Sequence, residues 1–264
     1  MEHTVAMQRA IALAEKGLGK TAPNPIVGAV IIDSTGNVVG EGFHDRVNSP
    51  DHAEVVAIKA AGIKAKGATI VVSLEPCNHT GSTGACVQAI IDAGITTVVY
   101  AVSDPNEKAA GGADALRAAG ITVIEGVLKD EAAFSNRAWL MKIKKNRPFF
   151  TWKVAATLDG KVAAADGTSK WITNETSRGD VQILRRQADA ILVGTNTVIT
   201  DNPHLIPRGE FAGYAGNPIR VICGEQELPK DSAVFDSAAQ TVVVKSKDLD
   251  VLVERLNELG VNHV

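Results

Sequence analysis

The segments Ala68-Thr69-Ile70-Val71-Val72-Ser73-Leu74, Cys86-Val87-Gln88-Ala89-Ile90-Ile91-Asp92-Ala93 and Thr97-Val98-Val99-Tyr100-Ala101-Val102 follow one another along the chain. The first and third are short, apolar and rich in β-branched residues, which suits buried strands, whereas the middle one has helical spacing. A strand, a helix and a second strand in that order form a βαβ unit.

The same alternation extends outward. Residues 5–16 are Ala-rich with helical spacing and end at Gly17-Leu18-Gly19. Residues 27–33 form a strand closed by Ser34-Thr35-Gly36-Asn37, and residues 38–43 pair back as a hairpin. A helix over 52–61 precedes the quoted stretch. After it come a helix near 113–119, a strand at 122–125 and one long helix over 129–145 with a charged face. The pattern predicts an α/β fold with a mostly parallel sheet and helices on both faces. The basic stretch Lys142-Ile143-Lys144-Lys145-Asn146-Arg147-Pro148 ends in a helix-breaking proline and marks a domain boundary, giving domains 1–145 and 146–264. In the second, a strand is expected at 149–156, a turn at Leu158-Asp159-Gly160, a helix over 175–187 and strands at 190–193, 219–223 and 241–245. Its last helix, 249–259, leads into the beginning of a further strand, so this domain is expected to be incomplete.

Composition narrows the function. Of 264 residues 45% are hydrophobic, enough for a substantial core, and 27 basic against 30 acidic residues leave a net charge of −3. That balance argues against duplex nucleic acid as a partner, and an aromatic content of 4% argues against a platform for single strands. No run approaches the ~20 apolar residues of a membrane span. The start, Met1-Glu2-His3-Thr4, lacks a signal peptide's basic and apolar regions. A cytoplasmic location is expected. Three cysteines, Cys77, Cys86 and Cys223, do not make a disulfide framework and point to metal ligation, catalysis or core filling.

The chemistry lies in His52-Ala53-Glu54, Glu75-Pro76-Cys77 and Cys86. His-x-Glu followed by Pro-Cys and a second Cys is the pattern of zinc deaminases. Imidazole and thiolates bind zinc, three protein ligands leave a fourth position for water, and helix starts at His52 and Cys86 favour the negative sulfurs. Glu54, two residues beyond the histidine, is placed to take a proton from that water and pass it to a ring nitrogen and a departing amine. From the residues alone a structural zinc with His79 as fourth ligand stays open.

Eight residues separate the two cysteines, in Pro76-Cys77-Asn78-His79-Thr80-Gly81-Ser82-Thr83-Gly84-Ala85-Cys86. This resembles the deaminase domain of the bifunctional riboflavin-biosynthesis deaminase/reductases, whose motif reads Pro-Cys-x-His-x-Gly-x-Thr-Pro-Pro-Cys. Pro23-Asn24-Pro25-Ile26-Val27-Gly28, Gly42-Phe43-His44 and Asp104-Pro105-Asn106 extend the resemblance. So do Lys153-Val154-Ala155-Ala156-Thr157-Leu158-Asp159-Gly160, Ser169-Lys170-Trp171-Ile172-Thr173 and Asp201-Asn202-Pro203. It implies a cytidine-deaminase-like three-layer domain followed by a dihydrofolate-reductase-like domain. The implied zinc ligands are His52, Cys77 and Cys86, with Glu54 as the proton shuttle. The implied substrate is 2,5-diamino-6-(5-phosphoribosylamino)pyrimidin-4(3H)-one, a phosphorylated small molecule, contacted by Asn24, His44, His79 and Asn106. Ser82 stands where the family usually carries Lys or Arg, and Gly84-Ala85 where it carries Pro-Pro. The lost cation is expected to weaken an ionic contact with the substrate phosphate, and Gly84 to loosen the loop.

For the second domain the resemblance implies reduction of the ribosyl group by NADPH. Cofactor contacts fall on Ala155, Trp171, Thr197 and Asp201, and substrate contacts on Ser169, Arg185, Leu205 and Arg208, the two arginines clamping the sugar phosphate. In the family, a Glu-x-Gly-rich loop that holds NADPH phosphates follows the strand starting near Val261. Without it weak or absent reductase activity is expected, with an exposed sheet edge that favours a homo-oligomer. The competing expectation is a zinc deaminase of another base, a nucleoside or tRNA adenosine, or a zinc-stabilised binding protein without catalysis.

Overall fold

A computed structural model describes residues 1–78, 85–106, 110–212 and 216–264, which divide into two compact units, Met1–Asn146 and Arg147–Val264. In the first, strands β1 (Gly28–Ile32), β2 (Val38–Phe43), β3 (Thr69–Leu74), β4 (Thr97–Val102) and β5 (Thr122–Glu125) form one sheet in the order β2-β1-β3-β4-β5. Around it lie α1 (His3–Glu15), α2 (Ala53–Ala61), α3 (Cys86–Asp92), α4 (Gly112–Ala118), α5 (Lys129–Ser135) and α6 (Arg137–Lys145).

Pairing of β3 with β4 and of β4 with β5 is parallel, but β1 is antiparallel to both β2 and β3. The expected mostly parallel sheet is therefore mixed in this unit. Asp33 reverses the chain after β1 by accepting the backbone N–H groups of Thr35 and Asn37, each at 2.9 Å. The helical crossover through α2 then returns β3 parallel to β2, but on the far side of β1.

Successive side chains point to opposite faces. Ala29, Ile31, Ile70, Val72 and Val98 pack with Ala53, Ala57, Val87, Ile90 and Leu116 from α2, α3 and α4. Val30, Ile32, Val71, Val99 and Ala101 pack on the other face with Met7, Ala10, Ala132, Trp139 and Leu140 from α1, α5 and α6. Helices on both faces thus make the expected three layers.

The expected single helix over 129–145 is two. Asn136 interrupts it at φ −94°, ψ 14°, with its side chain buried. That amide donates to Ile26 O at 2.8 Å and accepts from Ile26 N at 3.2 Å, so the break is held by a partner 110 residues away.

In the second unit β6 (Ala190–Gly194), β7 (Ile219–Cys223) and β8 (Thr241–Val244) form a parallel sheet. Helix α9 (Leu249–Glu258) covers one face through Leu252 and Leu256, and α8 (Thr195–Asp201) contributes Val198 to the cluster containing Ile222. Helix α7 (Glu175–Gln187) is capped by Asn174, which accepts from Ser177 N at 2.9 Å. Arg220, fully buried on β7, donates to Val234 O at 2.8 Å and to the Asp236 carboxylate at 2.7 Å. The strand expected at 149–156 does not form among the described residues. Phe149 bridges His263 in parallel and Thr151 N donates to Val264 O at 2.7 Å, where this pairing stops.

One contact sets where the first unit can hold chemistry. A Cβ on Gly40 would lie 2.3 Å from Ala57 O, and one on Gly42 2.5 Å from Ala53 O, so α2 rests directly on the backbone of β2. Gly42→Ala must push the start of α2 outward. We expect it to destabilise the protein by about 1–3 kcal/mol, as overpacking does, and to weaken metal binding at the neighbouring His52; denaturant unfolding and zinc titration check both.

Candidate active site

His52 is the N-cap of α2 in extended conformation (φ −75°, ψ 162°), Cys86 opens α3, and Cys77 lies three residues beyond the end of β3. Val87 N donates to Cys77 O at 3.3 Å, tying the Cys77 loop to the first turn of α3. As a result His52 Nδ1 stands 3.2 Å from Cys86 Sγ and 3.6 Å from Cys77 Sγ. The three donor atoms all lie within 4.8 Å of one another. One imidazole nitrogen and two sulfurs suit zinc and leave room for a non-protein ligand. The thiols act as a pair: hydrogen bonding from Cys86 pulls the Cys77 thiol down to about 4, while the same bond and burial push Cys86 up. Zinc held by His52, Cys77 and Cys86 would require both sulfurs as thiolates.

Glu54 sits in the first turn of α2, only 3% exposed. Burial, and next the negative charge on Cys77, drive its carboxyl up to about 7. Such a group exchanges protons near neutral pH, as a general acid–base requires.

Beside it His44, also buried, meets the His52 ring edge-on at 5.1 Å. Its Nδ1 lies 3.0 Å from Asp51 O, which only accepts, so Nδ1 carries the hydrogen. Nε2 is then free to accept from the Asn24 amide at 3.4 Å. Burial, the largest cause, lowers the pKa of this ring. Asn106 N donates to Asp104 Oδ1 at 2.8 Å, and Asp104 N to Glu75 Oε2 at 3.1 Å, which links Asn106 to the loop carrying Cys77.

The second unit holds a cavity of about 720 Å³ whose lining includes Lys153, Ser169, Trp171, Arg185, Asp201 and Arg208. The Arg178 guanidinium lies 4.5 Å from the Trp171 ring centre, a cation–π contact. Arg185 donates to Ile206 O at 3.1 Å, and burial followed by the charge of Arg208 lowers its pKa. Leu205 is buried with φ 49°, a conformation uncommon for a bulky side chain. It lines a second cavity of about 350 Å³ with Arg185, Leu184 and Trp152.

Known proteins match this arrangement along the whole chain. A family model for the cytidine and deoxycytidylate deaminase zinc-binding region matches residues 1–102, and one for the RibD C-terminal domain matches residues 148–264. The riboflavin biosynthesis protein RibD of Mycobacterium tuberculosis is 46% identical over 245 residues, covering 92% of this chain and 72% of that protein. The chain belongs to the bifunctional deaminase/reductase family of riboflavin biosynthesis. The RibD of Aquifex aeolicus is likewise 46% identical, over 97% of this chain and 71% of its own length. A crystal structure of the diaminohydroxyphosphoribosylaminopyrimidine deaminase/5-amino-6-(5-phosphoribosylamino)uracil reductase from Thermotoga maritima has a TM-score of 0.92 at 38% identity, covering 99% of this chain and 79% of that one. Like the family, this chain is an enzyme with a zinc-dependent deaminase domain and a domain of the NADPH-dependent reductase type. No helix among the described residues is long and apolar enough to cross a membrane.

Of the residues singled out in the sequence, His52, Cys77 and Cys86 converge on one point, and Asn24 and His44 adjoin it. His79, Ser82 and Gly84 lie outside the described residues. Ser169, Trp171, Arg185, Asp201 and Arg208 share the larger cavity of the second unit, whereas Ala155 and Thr197 line neither cavity. Two residues were not singled out in the sequence: Lys153, which lines both cavities and heads one of the quoted motifs, and Glu75, two residues before the predicted ligand Cys77. Replacing Cys86 by Ser should lower zinc affinity by more than the roughly 10–100-fold that follows loss of a group hydrogen-bonded to a ligand. Glu54→Gln should leave it unchanged; competition with a chromogenic chelator reads both.

Proposed function

We propose that the first unit hydrolyses 2,5-diamino-6-(5-phosphoribosylamino)pyrimidin-4(3H)-one to 5-amino-6-(5-phosphoribosylamino)uracil and ammonia. The observation that carries this reading is a buried Glu54 two residues from a histidine that clusters with two cysteines, their donor atoms within 4.8 Å of one another. His52 Nδ1 and the sulfurs of Cys77 and Cys86 would hold zinc. When bound, the metal supplies Lewis acidity that makes water a nucleophile near neutral pH. Glu54 accepts a proton from the attacking water and delivers it to the ring nitrogen; it then takes the second water proton, from the hydroxyl of the addition product, and gives it to the amine, which leaves as ammonia as the C–N bond breaks and the carbonyl forms. Asn24, whose amide is oriented by neutral His44, hydrogen-bonds the pyrimidine, and Asn106 adds a second contact. A structural zinc gives no reason for a carboxyl to be buried beside the ligands at a desolvation cost. Glu54→Gln should lower kcat for ammonia release by about 10²–10⁴-fold, with zinc retained. Full activity in that variant would overturn the reading.

The second unit, in the same reading, reduces the ribosyl side chain to ribityl. Its cavity fits an anionic ligand, since Lys153, Lys170, Arg178, Arg185 and Arg208 all line it. Trp171 and Asp201, with Ala155 and Thr197 nearby in sequence, would hold NADPH, whose chemistry is hydride donation. Arg185 and Arg208 repel each other unless an anion lies between them, which suits the sugar phosphate. Ser169 lines the same cavity, and Leu205 lines the adjoining one that shares Arg185. Arg185→Ala should raise the KM for the reductase substrate by about tenfold or more, as loss of a charge-assisted hydrogen bond does, with a smaller effect on deamination; steady-state kinetics with each substrate separates them. The free thiols required at Cys77 and Cys86 support a cytoplasmic location.

A further inference from the structure

The mechanism makes no use of Glu75, the first residue of Glu75-Pro76-Cys77. Its side chain is nevertheless buried, at 8% exposure, and both carboxylate oxygens are occupied. Oε2 accepts Asp104 N at 3.1 Å and Oε1 accepts Ala113 N at 3.0 Å. Its own N–H donates to Val102 O at 2.8 Å, extending the pairing of β3 with β4 by one residue.

These bonds join three segments. The first is the loop that carries Cys77. The second is the turn after β4, in which Asp104 Oδ1 accepts Asn106 N at 2.8 Å. The third is the start of α4, whose N-cap is Gly111 and which has no side-chain cap of its own, so Glu75 satisfies one of its orphan N–H groups from a distance. A second observation shows how closely these parts are pressed together: a Cβ on Gly112 would fall 1.8 Å from Pro76 O.

We propose that Glu75 is a positioning residue for deamination, fixing Asn106 relative to the metal-ligand loop through Asp104. The proposal rests on the reading of Asn106 as a substrate contact. A carboxylate is required because both partners are backbone donors; an amide would accept from one and present its own N–H groups to the other. The role is distinct from catalysis, because the hydrogen bonds of Glu75 run to the backbone of Asp104, Ala113 and Val102.

The test is a double-mutant cycle on the zinc-loaded full chain, measuring kcat, KM, zinc content and circular dichroism for Glu75→Gln, Asn106→Ala and the pair. Each single variant should keep its zinc and raise KM for the aminopyrimidine about tenfold, the size of one substrate hydrogen bond, with kcat within about threefold. The pair should be no worse than Asn106→Ala alone, because both changes act through one contact. Additive effects, or an unchanged KM in Glu75→Gln beside a raised one in Asn106→Ala, would overturn the proposal alone. An unchanged KM in Asn106→Ala would overturn it together with the reading of Asn106. Should Glu75→Gln fail to fold, Asp104→Ala removes the turn while leaving Glu75 in place. It must then show the same KM rise and the same non-additivity, and a normal KM would overturn the proposal.

Discussion

The first unit depends on the direct contact between helix α2 and strand β2, where two glycines leave no side chain between the helix and the strand backbone. Ala53, Ala57 and Ala61 present small side chains at helical spacing on α2, so it settles deep against the sheet. That depth carries His52 to the level of Cys77 and Cys86 and buries Glu54 beneath them. Larger residues on either surface would lift the helix and separate the imidazole from the thiols. The site therefore follows from backbone packing before any side-chain chemistry is considered.

Burial then determines what the site can do. A carboxyl removed from water next to sulfur is pushed toward neutral pH, and thiols near each other share a proton rather than ionising together. A cation placed among the three donors offsets both costs, since it favours two thiolates and supplies the positive charge that the cluster otherwise has only in part from His52. Acid–base capacity and metal affinity are thus consequences of the same desolvated corner. Glu75 extends this corner outward by connecting the Cys77 loop to the neighbouring turn and helix.

Much of this was legible in the sequence, for reasons that differ by element. Strands β3, β4 and β5 and the starts of α2 and α3 declare themselves through local periodicity and turn residues, and the ligands occur at those starts. What failed to show depends on distant partners. The break at Asn136 requires Ile26, and Arg220 lies hidden in an apolar strand because its partner Asp236 comes 16 residues later. Helix α8 is masked by Thr195, Thr197, Val198, Ile199 and Thr200, β-branched residues that locally favour a strand. Residues 149–156 have strand-like sequence, yet what forms there is an isolated bridge between Phe149 and His263, a partner more than a hundred residues away. In the second unit the two arginines and Trp171 were legible only through motif resemblance, since charged and aromatic residues on a lone helix or loop carry no mark of a shared cavity.

The two units bring together a hydrolytic site, which takes its oxygen from water, and a basic cavity suited to a phosphorylated ligand and an anionic cofactor. The first works as a hydrolase without the second. Deamination of the aminopyrimidine ribosylamino phosphate in water enriched in heavy oxygen, without NADPH, tests it most directly. The product should carry one oxygen from solvent for every ammonia released. Turnover that requires NADPH, or ammonia release without solvent oxygen in the product, would contradict it.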